Sequence, residues 1–191
     1  MNIYLVGGCV RDNLLGIPSK DHDYVMECSF DEMRDFLIFK GYNILHEKEE
    51  FLTCRVRIPN GQVVDFACCR SESDYDGRRP GEVLQTDIYT DLTRRDFTVN
   101  AIAQLVDEDF KPTDTFIDPH NGLVHLKSEI LYFVGDPEER LREDGLRWLR
   151  ALRFHITKNL DLPNSTIKAL KAENPINEKV STERIQTELD R

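Results

Sequence analysis

The sequence predicts an α+β fold: a mixed β-sheet flanked by helices over residues 1–133, then a short all-helical segment over 134–191. Three observations predict it. Short apolar runs and turn signals crowd the first two thirds of the chain. Pro59-Asn60-Gly61 separates two β-rich runs and so marks an antiparallel hairpin. From Asp136-Pro137 onward the hydrophobic period becomes helical. Strands first and helices after describe α+β or two small units, and the terminal helices are too few for a full core of their own.

Each element has a local reason. Ile3-Tyr4-Leu5-Val6 is apolar and ends in Gly7-Gly8, and the Leu-rich stretch Val10 to Leu15 closes at Gly16, which reads strand, tight turn, short helix. Lys20 to Met26 rises into a second strand. Ser29 is placed to cap a helix from Phe30 to Lys40, with Phe30, Met33, Phe36 and Leu37 at helical spacing and Gly41 as its stop. Residues 51–58 and 62–69 form the hairpin; Val64, Phe66 and Cys68 share one face of its second strand, Val63, Asp65 and Ala67 the other. A carboxylate in so apolar a strand asks for a reason. Arg70 to Asp91, with Gly77, Pro80 and Gly81, reads as a mobile loop of the kind that carries function. Phe97 to Leu105 is a candidate helix, Phe116 to Gly122 a strand and turn, and Leu126 to Phe133 closes the first unit. Helices are expected over about 137–158, 163–173 and 181 to the end.

The 191 residues are 40% hydrophobic and 31% charged, which excludes collagen-like, low-complexity and wholly disordered classes. Residues 134–191 hold 11 Lys+Arg and 11 Asp+Glu, so the whole formal charge of −10 belongs to the first 133. Such a part binds nucleic acid poorly without specific contacts, and its carboxylates serve either to hold metal ions or to keep the protein soluble. No apolar run approaches the roughly 18 residues a bilayer requires, and no basic stretch followed by a long apolar one opens the chain, so neither a membrane partner nor export is expected. Five cysteines, Cys9, Cys28, Cys54, Cys68 and Cys69, lack any C-x-x-C pair; they point to a reducing, cytoplasmic setting and away from structural zinc.

Three groups of residues can carry chemistry. Asp21 and Asp23, two apart in an extended segment, project from one face while His22 points away. Paired carboxylates suit Mg2+ at a two-metal phosphoryl or nucleotidyl transfer site; the plainer meaning is a solvated strand end. Gly7-Gly8, with Arg11 behind, lets backbone N–H groups and a guanidinium approach a triphosphate, or is simply a tight turn. On the helix after Pro137, Arg140, Asp144 and Arg147 fall within about 60° of one another, beside an apolar stripe of Leu141, Trp148, Leu149, Leu152 and Ile156. Their ordinary meaning is an i,i+3 salt bridge.

Together the motifs resemble the class II tRNA nucleotidyltransferases across essentially the whole chain. The residues that carry the likeness are Leu5-Val6-Gly7-Gly8-Cys9-Val10-Arg11-Asp12 through Gly16 with Asp21-His22-Asp23, Arg94-Arg95-Asp96-Phe97-Thr98-Val99-Asn100-Ala101, Asp118-Pro119-x-x-Gly122, Glu143-Asp144-Gly145-Leu146-Arg147, and Val180-Ser181-Thr182-Glu183-Arg184. The family holds CCA-adding enzymes, split CC- and A-adding enzymes and bacterial poly(A) polymerases. The resemblance implies a nucleotidyltransferase head over 1–133 and a helical neck over 134–191, with the nucleotide between them. It implies that Asp21 and Asp23 hold catalytic Mg2+, that Gly8, Arg11 and Arg95 contact the triphosphate, that Asp96 and Asn100 shape the sugar region, and that Asp65 is a third carboxylate on the metal or base side. Asn100 can equally cap or tie a loop.

The resemblance further implies that Asp144 and Arg147 read the incoming base, with Arg150 and Arg153 toward the nucleotide. The chemistry fits: cytosine and adenine both offer an exocyclic amino donor beside a ring-nitrogen acceptor, so an Asp acceptor and an Arg donor satisfy either. Guanine and uracil reverse that order, and each mispaired buried group costs about 1 to 3 kcal/mol. The implied reaction is attack of a tRNA 3′-hydroxyl on the α-phosphorus of CTP or ATP. Family members usually continue into helical body and tail domains that grip tRNA, so this chain is expected to bind tRNA weakly or through a second chain. A poly(A) polymerase is the neighbouring reading, and a non-catalytic nucleotide- or RNA-binding module is the rival from another class.

Overall fold

A computed structural model describes residues 1–19, 21–76, 79–172 and 180–190. The chain opens with β1 (Ile3–Val6), turns at Gly7 into α1 (Gly8–Leu14) and returns as β2 (Asp23–Met26). Next, α2 (Phe30–Phe39) crosses to β3 (Asn43–Lys48), and a 3-10 turn leads to the hairpin of β4 (Thr53–Arg57) and β5 (Val63–Cys68). A separate ribbon of β6 (Arg70–Ser73) and β7 (Glu82–Gln85) precedes α3 (Ile88–Thr93), followed by β8 (Ala103–Val106), β9 (Pro112–Ile117) and α4 (Gly122–Lys127). Four helices follow: α5 (Pro137–Glu143), α6 (Leu146–Lys158), α7 (Asn164–Ala172) and α8 (Thr182–Leu189).

The seven-stranded sheet runs β3-β4-β5-β2-β1-β8-β9. Only β2 and β5 pair in parallel, so the sheet is mixed and the α+β expectation holds. β1 and β2 lie at its centre, which is why all four residues of β1 are buried. One face carries Met26, Val56, Phe66 and Cys68 and is covered by α2 through Met33 and Leu37, all within a single apolar cluster. The opposite face is covered near β1 and β2 by Ile88 and Leu92 of α3. A third cluster joins Phe97, Leu131 and Phe133 to Leu141, Phe154 and Leu170, locking α5, α6 and α7 onto the sheet-bearing part. Among the described residues no helix is long and apolar enough to cross a membrane. All five cysteines are free thiols and buried.

Local chemistry explains the elements that match expectation. Ser29 and Glu32 form a reciprocal cap: the Ser29 hydroxyl accepts from the Glu32 N–H and the Glu32 carboxylate accepts from the Ser29 N–H at 2.8 Å. β5 alternates as its sequence demands, with Val64, Phe66 and Cys68 inward. Asp118 accepts from the Gly122 and Leu123 N–H groups at 2.6 and 2.9 Å, opening α4. A Cβ at Gly122 would lie 2.2 Å from the Thr98 carbonyl, so that turn admits only glycine without displacement.

Several expectations are corrected. Residues 97–105 are not a helix: Phe97 to Ala103 are all buried, and after a 3-10 turn at Thr98–Asn100 the chain enters β8, where Val6 pairs with Ala103. A continuous apolar run buried on both sides has no period by which to tell helix from strand. The stretch 70–91 is no simple loop, because β6, β7 and most of α3 lie within it; Gly77 is outside the described residues, and Gly81 abuts the Asp74 carbonyl. Asn43–Lys48, unassigned from its polar sequence, is the edge strand β3.

The helix expected over 137–158 is two. Asp144 has φ −146° and ψ 106°, breaking the run between α5 and α6, so the angular arithmetic that placed Arg140, Asp144 and Arg147 on one helix face does not apply. Ile156 is 77% exposed rather than part of the apolar stripe, and Arg147, Ala151 and Phe154 form the buried side of α6 instead. α7 ends at Ala172, while the expected terminal residues 173 and 191, like Lys20, lie outside the described residues.

Candidate active site

The site begins where β1 and β2 end. Register sets Val6 opposite Asp23 and Asp23 beside Asp65, so two carboxylates stand abreast on neighbouring parallel strands, and Asp21 lies just before β2. Gly7, at φ 74°, lets the chain double back into α1 directly beneath Arg95; a Cβ there would lie 3.5 Å from the Arg95 Nη1. A Cβ on Gly8 would approach the Arg11 Nη2 to 3.3 Å. The glycines thus leave room for two guanidinium groups beside the carboxylates.

A cleft of about 1190 Å³ runs from these strand ends to α6, and all twelve candidate residues line it: Gly8, Arg11, Asp21, Asp23, Asp65, Arg95, Asp96, Asn100, Asp144, Arg147, Arg150 and Arg153. Their pairings differ from those the sequence suggests. Asp65 accepts on both oxygens from Arg55 across the hairpin, at 2.7 and 2.6 Å, which offsets part of its charge. Asp144 and Arg147 do not pair with each other. Arg184 of α8 donates to Asp144 at 2.8 and 3.2 Å, while Arg147 donates to Glu143 at 2.5 Å and to the Arg140 and Arg94 carbonyls at 3.1 Å.

A relay of polar side chains joins the cleft walls. Arg11 donates to Asn100 at 2.6 Å, Asn100 donates to Asp96 at 3.1 Å, and Arg150 grips Asp96 at 2.8 and 2.5 Å. Asp96 is therefore a tie between the strand-bearing part and α6, and Asn100 a tie within it. Burial pushes the Asp96 carboxyl up, but Arg150, Asn100 and Arg147 outweigh it and hold it at about 2. Phe154 is sandwiched by cations, with Arg153, Arg11 and Arg150 at 4.3, 4.8 and 5.5 Å from its centroid. Arg153 is held in turn by the buried Glu188 of α8 at 2.6 Å.

Sequence reasoning missed the supports of this wall. Asp91 is fully buried and accepts from Arg94 at 2.8 Å and from Arg95 at 2.9 Å; Glu72 of β6 takes the other side of Arg94 at 2.9 Å. The i,i+3 and i,i+4 spacing of Asp91 to Arg94 and Arg95 was the available signal. Lys158 of α6 reaches Asp12 of α1 at 3.1 Å, and nothing in the sequence brings those two residues together.

The carboxylates at the strand ends fit a hard divalent cation. Asp23 is accessible from the cleft yet crowded by protein on its other sides; desolvation and repulsion from Asp65 raise its carboxyl above the usual range, Arg95 opposes this and Asp21 adds to it. Oxygen donors that repel one another are what a small dication relieves. Among the described residues no group of three or more His, Cys, Asp or Glu side chains is poised to hold a metal by itself. Mg2+ takes one or two carboxylates and completes its shell with substrate phosphates and water.

The acid groups of the wall make stability pH-dependent. Asp91 is likewise held at about 2, where burial is outweighed by Arg95 and Arg94. Both carboxyls titrate near 2 when folded and near about 3.9 when unfolded, so their contribution is complete above pH ~4 and is lost as pH falls through ~2. The contribution of these two carboxyls to the thermal midpoint is expected to stay level between about pH 7 and 5 and to fall steeply between about 4 and 2. Calorimetry of Asp96→Asn checks this: the variant's descent should be shallower, and an identical slope would exclude Asp96 as a source.

Comparison with known proteins bears on this arrangement. Residues 3–132 match the family described as Poly A polymerase head domain. A CCA-adding enzyme of Streptococcus pyogenes serotype M2 is 37% identical over 190 residues, and one of Streptococcus mutans serotype c is 38% identical over 190 residues; each alignment covers 98% of this chain. The chain spans less than half the length of these curated relatives, 44% and 45%. Among solved structures, the Bacillus stearothermophilus CCA-adding enzyme in complex with CTP superposes with a TM-score of 0.80 at 32% identity, covering 98% of this chain and 43% of that one. A tRNA nucleotidyltransferase complexed with a primer tRNA and an incoming ATP analog gives a TM-score of 0.76 at 32% identity, covering 99% and 52%.

Proposed function

The chain belongs to the Poly A polymerase head domain family, and from that premise we propose that it is a template-independent nucleotidyltransferase adding C, A or both to a tRNA 3′ end from CTP and ATP, with release of pyrophosphate. The observation that carries this reading is one cleft lined at once by Asp21 and Asp23, by the Gly7-Gly8 turn with Arg11 and Arg95, and by Asp144 and Arg147. A binding module needs a phosphate cradle and a base contact; it has no use for two repelling carboxylates beside them. We read residues 1–133 as the catalytic unit and 134–191 as the unit that supplies base contacts; the family match ending at residue 132 and the wholly helical run from α5 support that division.

Asp21 and Asp23 would hold Mg2+, which when bound supplies positive charge at the attacking and leaving oxygens and lowers the pKa of the attacking hydroxyl. The protein's own residues do the rest. Arg11 and Arg95 neutralise the triphosphate, and their guanidinium groups are held in advance by Asn100 and Asp12 and by Asp91, so little reorganisation accompanies charge movement. The 3′-hydroxyl oxygen forms a bond to the α-phosphorus as the bond to the bridging oxygen breaks, and the pyrophosphate leaves opposite. Asp144, fixed by Arg184, accepts from the exocyclic amine of cytosine or adenine, and Arg147, fixed by Glu143, donates to the ring nitrogen. Guanine or uracil would set a carbonyl against Asp144 and an N–H against Arg147, leaving both groups unmet.

The test is incorporation of labelled CTP and ATP, separately and together with Mg2+, into tRNAs ending before CCA, after C and after CC. Extension with CTP or ATP but not with GTP or UTP is the expected result, and the substrates that extend name the CCA-, CC- or A-adding class. Extension by ATP alone on any RNA end identifies a poly(A) polymerase. Nucleotide binding that depends on Asp144 and Arg147 without any extension leaves the non-catalytic module.

A further inference from the structure

We propose that Lys158 is a positioning residue of the nucleotide site: by sharing the Asp12 carboxylate with Arg11, it keeps that corner of the cleft cationic toward a triphosphate. The proposal rests on the reading of Arg11 as a triphosphate contact and names the charge on which that contact depends. Lys158 lines the large cleft together with Arg11, Asp12 and Asn100.

Local structure brings Lys158 there. It is the last residue of α6, and Asn159, at φ 53°, ends the helix directly after it. Arg150, Phe154 and Lys158 are spaced four apart and so form one row along α6. The row faces α1: the Arg11 guanidinium lies 4.8 Å from the Phe154 ring centroid, and one turn further on the Lys158 Nζ reaches Asp12 Oδ1 at 3.1 Å. A lysine that closes a helix is favoured there by the dipole with its head in water. This one is turned onto α1 instead, with its side chain 18% exposed.

Charge balance selects the role. The Arg11 Nε and Nη2 also meet Asp12 Oδ1, at 2.9 and 2.8 Å, while the Arg11 Nη1 donates to the neutral Asn100 at 2.6 Å. Donors from two cations therefore converge on one carboxylate oxygen. Arg11 and Asp12 alone present no net charge; with Lys158 the trio carries one net positive charge. Arg150 and Arg153 of the same helix add none, because Asp96 matches the first and Glu188 the second. The side chains of Arg11 and Asp12 are 6% and 16% exposed, so water and salt screen this balance less than they would on an open surface. Without Lys158, Asp12 cancels Arg11 and sets its own negative charge beside the incoming phosphates.

The test measures CTP and ATP binding by isothermal titration calorimetry with Mg2+ and no RNA, so no turnover is involved. Lys158→Met should weaken both nucleotides about fivefold, the scale of one partly screened charge, because the interaction is with phosphates and not with the base. Lys158→Arg should keep the wild-type affinity. Asp12→Asn added to Lys158→Met should bring the affinity back toward the wild-type value, since Arg11 then stands beside a neutral amide and the net charge is again one positive. A merely structural tie predicts the opposite, because the double variant leaves the link between α1 and α6 broken and alters a second group. Unchanged affinity in Lys158→Met, loss for only one of the two nucleotides, or a double variant no tighter than the single one overturns the proposal. Wild-type protein that binds CTP with this dependence yet extends no tRNA overturns nucleotidyl transfer while upholding the role of Lys158, so the two failures are distinguishable.

Discussion

Asp23→Asn is expected to lower kcat for nucleotide addition by at least about a thousandfold while raising the thermal midpoint. Both effects come from the same crowding. The Asp23 carboxylate is disfavoured in the folded protein by desolvation, by Asp65 and by Asp21, with Arg95 and His22 opposing them. An uncharged isostere removes that repulsion and so stabilises the fold. On the proposed mechanism it also removes one of the two carboxylates that would hold the cation, and transition-state charge would go uncompensated. Single-turnover kinetics with saturating CTP and calorimetry read the two effects separately. A variant that loses activity and stability together would reassign Asp23 to structure, and one that keeps its activity would exclude nucleotidyl transfer at this site.

Asp91→Asn is expected to be the most destabilising conservative change in the molecule. Asp91 is 0% exposed and carries two arginines, one on each oxygen. Its loss leaves Arg95 without its carboxylate partner and Arg94 with Glu72, and breaking a buried pair in this way costs about 3–5 kcal/mol. For a chain of this size that lowers the thermal midpoint by roughly 10 °C. Arg95 also loses the anchor that holds it over Gly7, so the KM for nucleotide should rise in protein that remains folded. Denaturation monitored by far-UV circular dichroism and steady-state kinetics below the new midpoint check both; a shift of only a degree or two would mean that the arginines find other partners.

Elements with strong local chemistry were legible in the sequence. The Ser29–Glu32 cap, the Pro59-Asn60-Gly61 hairpin and the alternation of β5 follow from neighbouring residues, and each stands in the structure as read. Elements defined by distant partners were not. Ala103–Val106 becomes a strand because β1 offers it an edge, and Asn43–Lys48 because β4 does. The break at Asp144 was hidden because Gly145 interrupts an otherwise helical pattern only weakly. The extended backbone there lets Asp144 accept both from Arg184, forty residues on, and from the Leu146 N–H at 3.1 Å.

The site divides the same way. The base-reading role of Asp144 and Arg147 was an expectation from the family resemblance alone; residue types and spacing marked carboxylates two apart before a strand and glycines that let guanidinium groups close in. Those are properties of single residues and near neighbours, and they survive any fold that keeps the local segments. Only the tertiary structure decided how the other candidates are held: Asp65 by Arg55, Asp96 by Arg150, and Arg153 by Glu188. The physical reason is that ion pairing and burial depend on distance through space, and the segments that meet around Asp23 are separated by up to a hundred or more residues of chain.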